Sequence, residues 1–124
     1  MTAFELNDLM MSWYMMMGQD ANMYLALVSG YLLVAYYIGS NLSKAQCLVV
    51  SVFFTVWSAS HVGALLSEMR AVIEIQEKLI GMGEFHFQSP QESLYISLLF
   101  ALIQVGGIIA ALYFMWSVRQ PKAA

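Results

Sequence analysis

The residues best suited to chemistry share one face of the second long apolar stretch of the chain. At about 100° per residue, a helix through this stretch places them within an arc of about 140°. The face carries a thiol, three hydroxyls, an imidazole and a carboxyl, contributed by Cys47, Ser51, Thr55, Ser58, His61 and Glu68. Gln104 adds an amide on the third apolar stretch. An ionisable group in an apolar helix is costly unless it meets water or a partner, so His61 and Glu68 are the most informative members.

This polar face has two interpretations. It can form the wall of a conduit around an oligomer axis or between protomers, with His61 and Glu68 as its ionisable members. It can instead serve packing alone, with hydroxyls bonding backbone carbonyls four residues earlier and His61 bonding a neighbouring helix. The conduit interpretation predicts that removing these polar groups changes permeability.

Small residues form a second pattern, which is typical of close contacts between membrane helices. On the second stretch they fall almost opposite the polar face, at Ala59, Ser60, Gly63 and Ala64. On the third stretch they are Gly106, Gly107, Ala110 and Ala111. So much close-packing surface on one short chain predicts a homo-oligomer; the alternative is that these residues pack only the helices of one protomer.

Methionine-rich segments offer a third kind of chemistry, because thioethers bind Cu(I). The chain has 10 methionines, and Met15, Met16 and Met17 with His86 are the copper candidates. Methionine is also an adaptable apolar filler at helix contacts. We therefore expect no metal or cofactor and keep copper binding as an alternative.

The distribution of charged residues along the sequence predicts the helices that position these side chains. Hydrophobic residues make up 60% of the 124 residues and charged residues only 10%. Stretches 21–43, 45–67 and 93–118 carry no charge, and each exceeds the roughly 20 residues that cross a bilayer. We predict an all-α integral membrane protein, a single domain over 1–124 with spans at about 21–39, 44–66 and 93–118, in contact with membrane lipid.

Local signals set the expected helix boundaries. Residues 4–17 predict a short amphipathic surface helix, with Gly18-Gln19-Asp20 as a break and Asp20 as the next N-cap. Ser43 and Gln46 form a capping-box pattern, and Ser89-Pro90 starts the third helix. The second helix is expected to continue to Gly81, beyond the bilayer, within an outer-side connection over 67–92.

The apolar face of 4–17 is expected to pack on the projecting part of the second helix. It consists of Leu6, Met10, Trp13 and Met17, and the expected partners are Met69, Val72, Ile73 and Ile80.

Basic residues set the expected orientation. Lys44, Arg119 and Lys122 cluster at one side of the predicted spans, whereas Arg70 and Lys78 are spread over the other. The positive-inside rule then places the N-terminus outside and the C-terminus inside. The net charge of −3 and the lack of a basic cluster argue against nucleic acid as a partner.

The leading functional hypothesis is a small homo-oligomeric membrane protein that forms a channel-like or pore-like assembly, with the second helix lining the path. The size, the three spans and the short basic tail resemble the general layout of phage holins. The sequence has no hydrolase, metalloprotease, P-loop or dinucleotide-binding motif, so we expect no enzyme. The alternatives are a non-catalytic accessory subunit that docks a larger membrane complex and a methionine-based copper-binding membrane protein.

Overall fold

A computed structural model describes residues 1–84 and 89–121 and consists of three long helices. Helix α1 covers Ala3–Ile38, α2 covers Lys44–Gly81 and α3 covers Pro90–Val118, with a 3-10 turn at Gly39–Asn41. The described part of the chain is all-helical, as predicted, and each long helix is apolar and long enough to cross a membrane. At about 1.5 Å per residue, the 38 residues of α2 extend about 57 Å.

The predicted N-terminal starts of α2 and α3 are confirmed. Ser43 caps α2 by accepting a hydrogen bond from the backbone N–H of Gln46, and the Gln46 side chain completes the capping box. Ser89 accepts from the N–H of Glu92 at the start of α3, with proline at the first helical position. These side chains satisfy N–H groups that have no partner within the helix.

The predicted break at Gly18-Gln19-Asp20 is wrong, and so is the separate surface helix over 4–17. One helix runs without interruption from Ala3 to Ile38. Gly18 costs only about 1 kcal/mol relative to alanine within a helix, and the segment contains no proline. The actual N-cap is Thr2, in a capping box with Glu5, so Asp20 is not a cap and its side chain is available for another partner.

Helices α1 and α2 form an antiparallel pair over nearly their full length. Leu6 and Leu79 meet at one end of the pair, and Tyr31 and Phe54 stack near the other with ring centroids 4.1 Å apart. Helix α3 lies against this pair and runs antiparallel to α2. Its inward residues recur every three or four positions, as one helical face requires: Ser93, Ser97, Ala101, Gln104, Ile108, Ala111 and Met115.

The N-terminal part of α1 packs on the C-terminal part of α2, as expected. The face formed by Leu6, Met10 and Trp13 contacts this part of α2. The partners in that cluster are Ile75 and Leu79, and the predicted partner Ile80 is exposed. The predicted contact is therefore confirmed for Leu6, Met10 and Trp13, whereas the contact on α2 is rotated away from Ile80.

The turn between α1 and α2 is held by the end of α3. Arg119 Nη1 donates hydrogen bonds to the carbonyls of Gly39 and Leu42, at 2.9 and 2.6 Å. Gly39 is buried there, and a Cβ at this position would stand 3.0 Å from Val118. This contact places the C-terminal end of α3 beside the N-terminal end of α2.

Candidate functional site

The polar face of α2 is turned into the bundle. Ser58 is fully buried at 0% exposure and Glu68 is 7% exposed, although both lie in a strongly apolar sequence. The remaining members of the face are half-buried: Cys47, Ser51, Thr55 and His61. The face that the sequence predicted is thus in contact with the other helices of the same chain.

Near the N-terminal end of α2, the polar groups are hydrogen-bonded. The Tyr31 hydroxyl and Ser51 Oγ are 2.8 Å apart, and Thr55 Oγ1 donates to the Ser51 carbonyl at 2.7 Å. The Cys47 thiol lies 4.0 Å from Ser51 Oγ. These contacts agree with the packing interpretation for this part of the face.

Farther along α2, three ionisable side chains from two helices come together. His61 Nδ1 lies 2.8 Å from Asp20 Oδ1 on α1, and the two side chains are 17% and 20% exposed. The carboxyls of Asp20 and Glu68 also lie within hydrogen-bonding reach of each other. We call Asp20, His61 and Glu68 the acid–imidazole cluster.

Sequence reasoning missed Asp20 as a site residue because it was assigned to a helix start. A continuous α1 instead turns its side chain towards α2. The available signal was an acidic residue directly before an uncharged stretch, with a histidine in the next helix. Burial of one charge beside another ionisable group is typical of functional sites as well as of structural ion pairs.

Four buried polar atoms near this cluster have no hydrogen-bond partner among the residues that the structure describes. They are Ser58 Oγ, His61 Nε2, Glu68 Oε2 and Gln104 Oε1. Gln104 is 8% exposed, and its backbone carbonyl accepts a hydrogen bond of 2.5 Å from the Tyr24 hydroxyl. Buried polar groups are normally paired, so four atoms without a partner within residues 1–84 and 89–121 mark this part of the interior.

A second buried polar contact lies beyond the cluster, towards the start of α3. Ser93 Oγ donates to Gln76 Oε1 at 2.9 Å, with both residues almost fully buried. Gln76 was the one polar residue in the apolar pattern of α2, so its polarity was the signal for this contact.

The predicted small-residue positions divide into two groups. Gly107 and Ala111 face the interior, and the Tyr24 hydroxyl lies so close to Gly107 that a Cβ there would collide with it. The others are exposed or half-buried in the single chain: Ala59, Ser60, Gly63, Ala64, Gly106 and Ala110. Gly107 and Ala111 therefore pack the helices of one protomer.

The copper candidates do not converge on the described part of α1. Met15 and Met16 are exposed and Met17 is half-buried, and consecutive helical residues point about 100° apart. His86 lies outside the described residues. Within the described ranges, no group of three or more histidine, cysteine or acidic side chains could hold a metal ion.

The arrangement is suited to moving protons. Carboxyl, imidazole, hydroxyl and amide groups follow one another along the inner face of α2, and the ionisable members lie between α1 and α2. Comparisons with protein families, curated proteins and solved structures find no match to this chain.

Proposed function

We propose that the protein is an integral membrane protein that assembles into a channel-like homo-oligomer, in which the inner face of α2 lines a narrow polar path. The observation that carries the proposal is the set of four buried polar atoms on α2 and α3 that have no hydrogen-bond partner in the described part of the chain. Each such atom costs about 1–3 kcal/mol when it has no partner. A permeating species that forms hydrogen bonds with these four atoms explains why the protein retains them.

Charge placement supports an N-terminus outside and a C-terminus inside. The Arg119 contacts bring this residue to the α1–α2 turn, at the same end of the bundle as Lys44. The acidic residues lie at the other end or along the projecting parts of α1 and α2. The rule counts basic residues: Lys44 and Arg119 lie together at the turn end, whereas Arg70 and Lys78 are spread along the projecting part of α2, which fits a C-terminus inside.

Self-association is supported by the exposed small residues. Ala59, Ser60 and Gly63 are exposed on the side of α2 opposite the polar face. Small side chains at this spacing let two membrane helices approach closely. Copies that meet through this face leave the inner path of each protomer intact.

The test is flux through reconstituted vesicles, measured for both potassium ions and protons. We expect the wild-type protein to raise flux above that of protein-free vesicles, and Ser58→Leu to reduce that flux by about tenfold or more, because each added barrier of about 1.4 kcal/mol is worth a factor of ten. Ser29→Leu is the matched control, since Ser29 is exposed on α1. It should leave flux unchanged.

The mass of the detergent-solubilised protein completes the experiment. We expect wild type, Ser58→Leu and Ser29→Leu to form the same oligomer, so that lost flux reflects a blocked path. Wild-type vesicles that are no more permeable than protein-free ones contradict the channel. A monomer by mass contradicts the oligomer.

A second candidate is an accessory subunit of a larger membrane complex. One observation favours it: Phe4, Met11 and Met15 are exposed on one side of the N-terminal half of α1, within about 40° of arc. An apolar ridge of this kind is suited to contact with another protein. Co-purification of unrelated subunits in fixed ratio, with no flux, supports this candidate over the channel.

A further inference from the structure

The acid–imidazole cluster has a defined order. Asp20 lies between the other two members, since it contacts His61 Nδ1 on one side and the Glu68 carboxyl on the other. His61 and Glu68 are seven residues apart on the same face of α2, so one side chain from α1 bridges them. The cluster is a short chain of three groups that runs across the α1–α2 contact.

Two ionised carboxylates offer only acceptors to each other. Glu68 Oε2 is buried and has no donor among the described residues, and Glu68 as a whole is 7% exposed. A carboxylate without a donor in an apolar interior is strongly disfavoured. A single proton held between Asp20 and Glu68 turns the same contact into a hydrogen bond and removes the repulsion.

Among the residues that the structure describes, no other charged side chain faces the pair and balances it. From α1 the facing groups are Asp20 and the Tyr24 hydroxyl, and from α2 they are His61 and Glu68. The described residues that α3 turns inward are polar or apolar but uncharged. The charge state of the cluster is therefore set by its own three members.

We propose that Asp20, His61 and Glu68 form a proton-binding site in the α1–α2 contact that holds one exchangeable proton and passes it between the His61 ring and the two carboxyls. This inference rests on the proposed function for its role in transport and names the proton as the species transferred. The site is a relay because His61 offers a different ring nitrogen to each side. Nδ1 faces Asp20, and Nε2 is buried without a partner among the described residues.

One transfer step balances as follows. A hydronium ion in the path proposed along α2 gives a proton to His61 Nε2, where an N–H bond forms and an O–H bond of hydronium breaks. The Nδ1–H bond then breaks as its proton moves to Asp20 Oδ1. Asp20 shares that proton with Glu68 while His61 returns to its neutral form. Reversal of these steps returns the proton to water by the route through which it entered, so the site binds and releases one proton and no other reactant is consumed.

Infrared difference spectroscopy of the purified, full-length protein tests the site without relying on transport. Spectra are compared between about pH 5 and about pH 8, the interval around the ordinary titration of histidine. We expect a protonated-carboxyl band in the wild type that changes with pH, and its loss in Glu68→Gln. Glu74→Gln is the matched control, because Glu74 is an exposed carboxyl on the same helix. It should keep the band.

Asp20→Asn provides the second variant and removes the other half of the pair. We expect the band to shift, since Glu68 then faces an amide, while circular dichroism shows unchanged helix content. Persistence of the same band in Glu68→Gln, or its absence from the wild type, overturns the proton site even if vesicles conduct. A titrating band in a protein that does not conduct leaves the site in place and contradicts the channel.

Discussion

The two ends of the bundle interior differ in whether their buried polar groups have hydrogen-bond partners among the described residues. Near the α1–α2 turn, aromatic and aliphatic side chains fill the centre, and the Tyr31 hydroxyl and Ser51 satisfy each other. Around the acid–imidazole cluster, buried polar atoms lack partners within the described residues. The first region therefore holds the helices together, whereas the second retains groups that packing alone does not require.

One polar face of a helix can therefore serve two purposes. Ser51 and Ser58 lie seven residues apart on the same face of α2. Ser51 has a hydroxyl partner on α1, whereas Ser58 Oγ is buried with none in the described chain. Position along the helix, rather than residue type, separates the structural part from the candidate path.

The largest expected effect is in the packed region. Met115 is 2% exposed, and Met115→Ala should lower the free energy of unfolding by about 2–5 kcal/mol through lost contacts and a cavity. Unfolding in detergent, followed by circular dichroism, measures the change. Leu102→Ala on the exposed side of α3 is the control and should change stability by less than about 0.5 kcal/mol. Equal effects of the two substitutions would contradict the description of this region as the packed core.

The same serine-to-alanine substitution at two positions of α2 should have opposite effects on the free energy of unfolding. Ser58→Ala removes a buried hydroxyl without a partner in the described chain and should stabilise the protein by about 1 kcal/mol, the lower end of the cost of such a group. Ser51→Ala leaves the Tyr31 hydroxyl without its partner and should destabilise it by a similar amount, about 1 kcal/mol. The same unfolding assay measures both, and a shared sign would remove the distinction between the two regions.

The smallest effect is expected where the two regions meet. The Tyr24 hydroxyl donates to the Gln104 carbonyl, and hydrogen bonds between membrane helices contribute about 0.6 kcal/mol on average. Tyr24→Phe should lower stability by about that amount, whereas Tyr36→Phe, at an exposed position, should not change it. A much larger loss for Tyr24→Phe would show that Gln104 depends on this contact for its position.

The parts of the fold that could be predicted from the sequence are those set by local chemistry. Ser43 and Ser89 mark helix starts through contacts within four residues, and the three apolar stretches mark the helices. The inward turn of Ser58 followed from helical geometry together with its neighbours on the same face. The break assigned to Gly18 failed because one glycine does not outweigh a long helical segment that packs along α2.

The acid–imidazole cluster could be predicted only in part. His61 and Glu68 were identified because ionisable groups are rare in apolar helices. Their partner Asp20 was not, since it lies 41 residues from His61 and depends on the register between α1 and α2. That register is set by contacts such as Leu6 with Leu79, which no local pattern specifies.

The hydrogen bonds of Arg119 have a consequence for the order of assembly during synthesis. Gly39 and Leu42 precede their donor by 80 and 77 positions, so the ribosome completes the α1–α2 hairpin well before the guanidinium emerges. Until then the two carbonyls must be solvated by water or lipid headgroups. The Arg119 hydrogen bonds to the turn therefore form late, and they attach α3 to an α1–α2 hairpin that already exists.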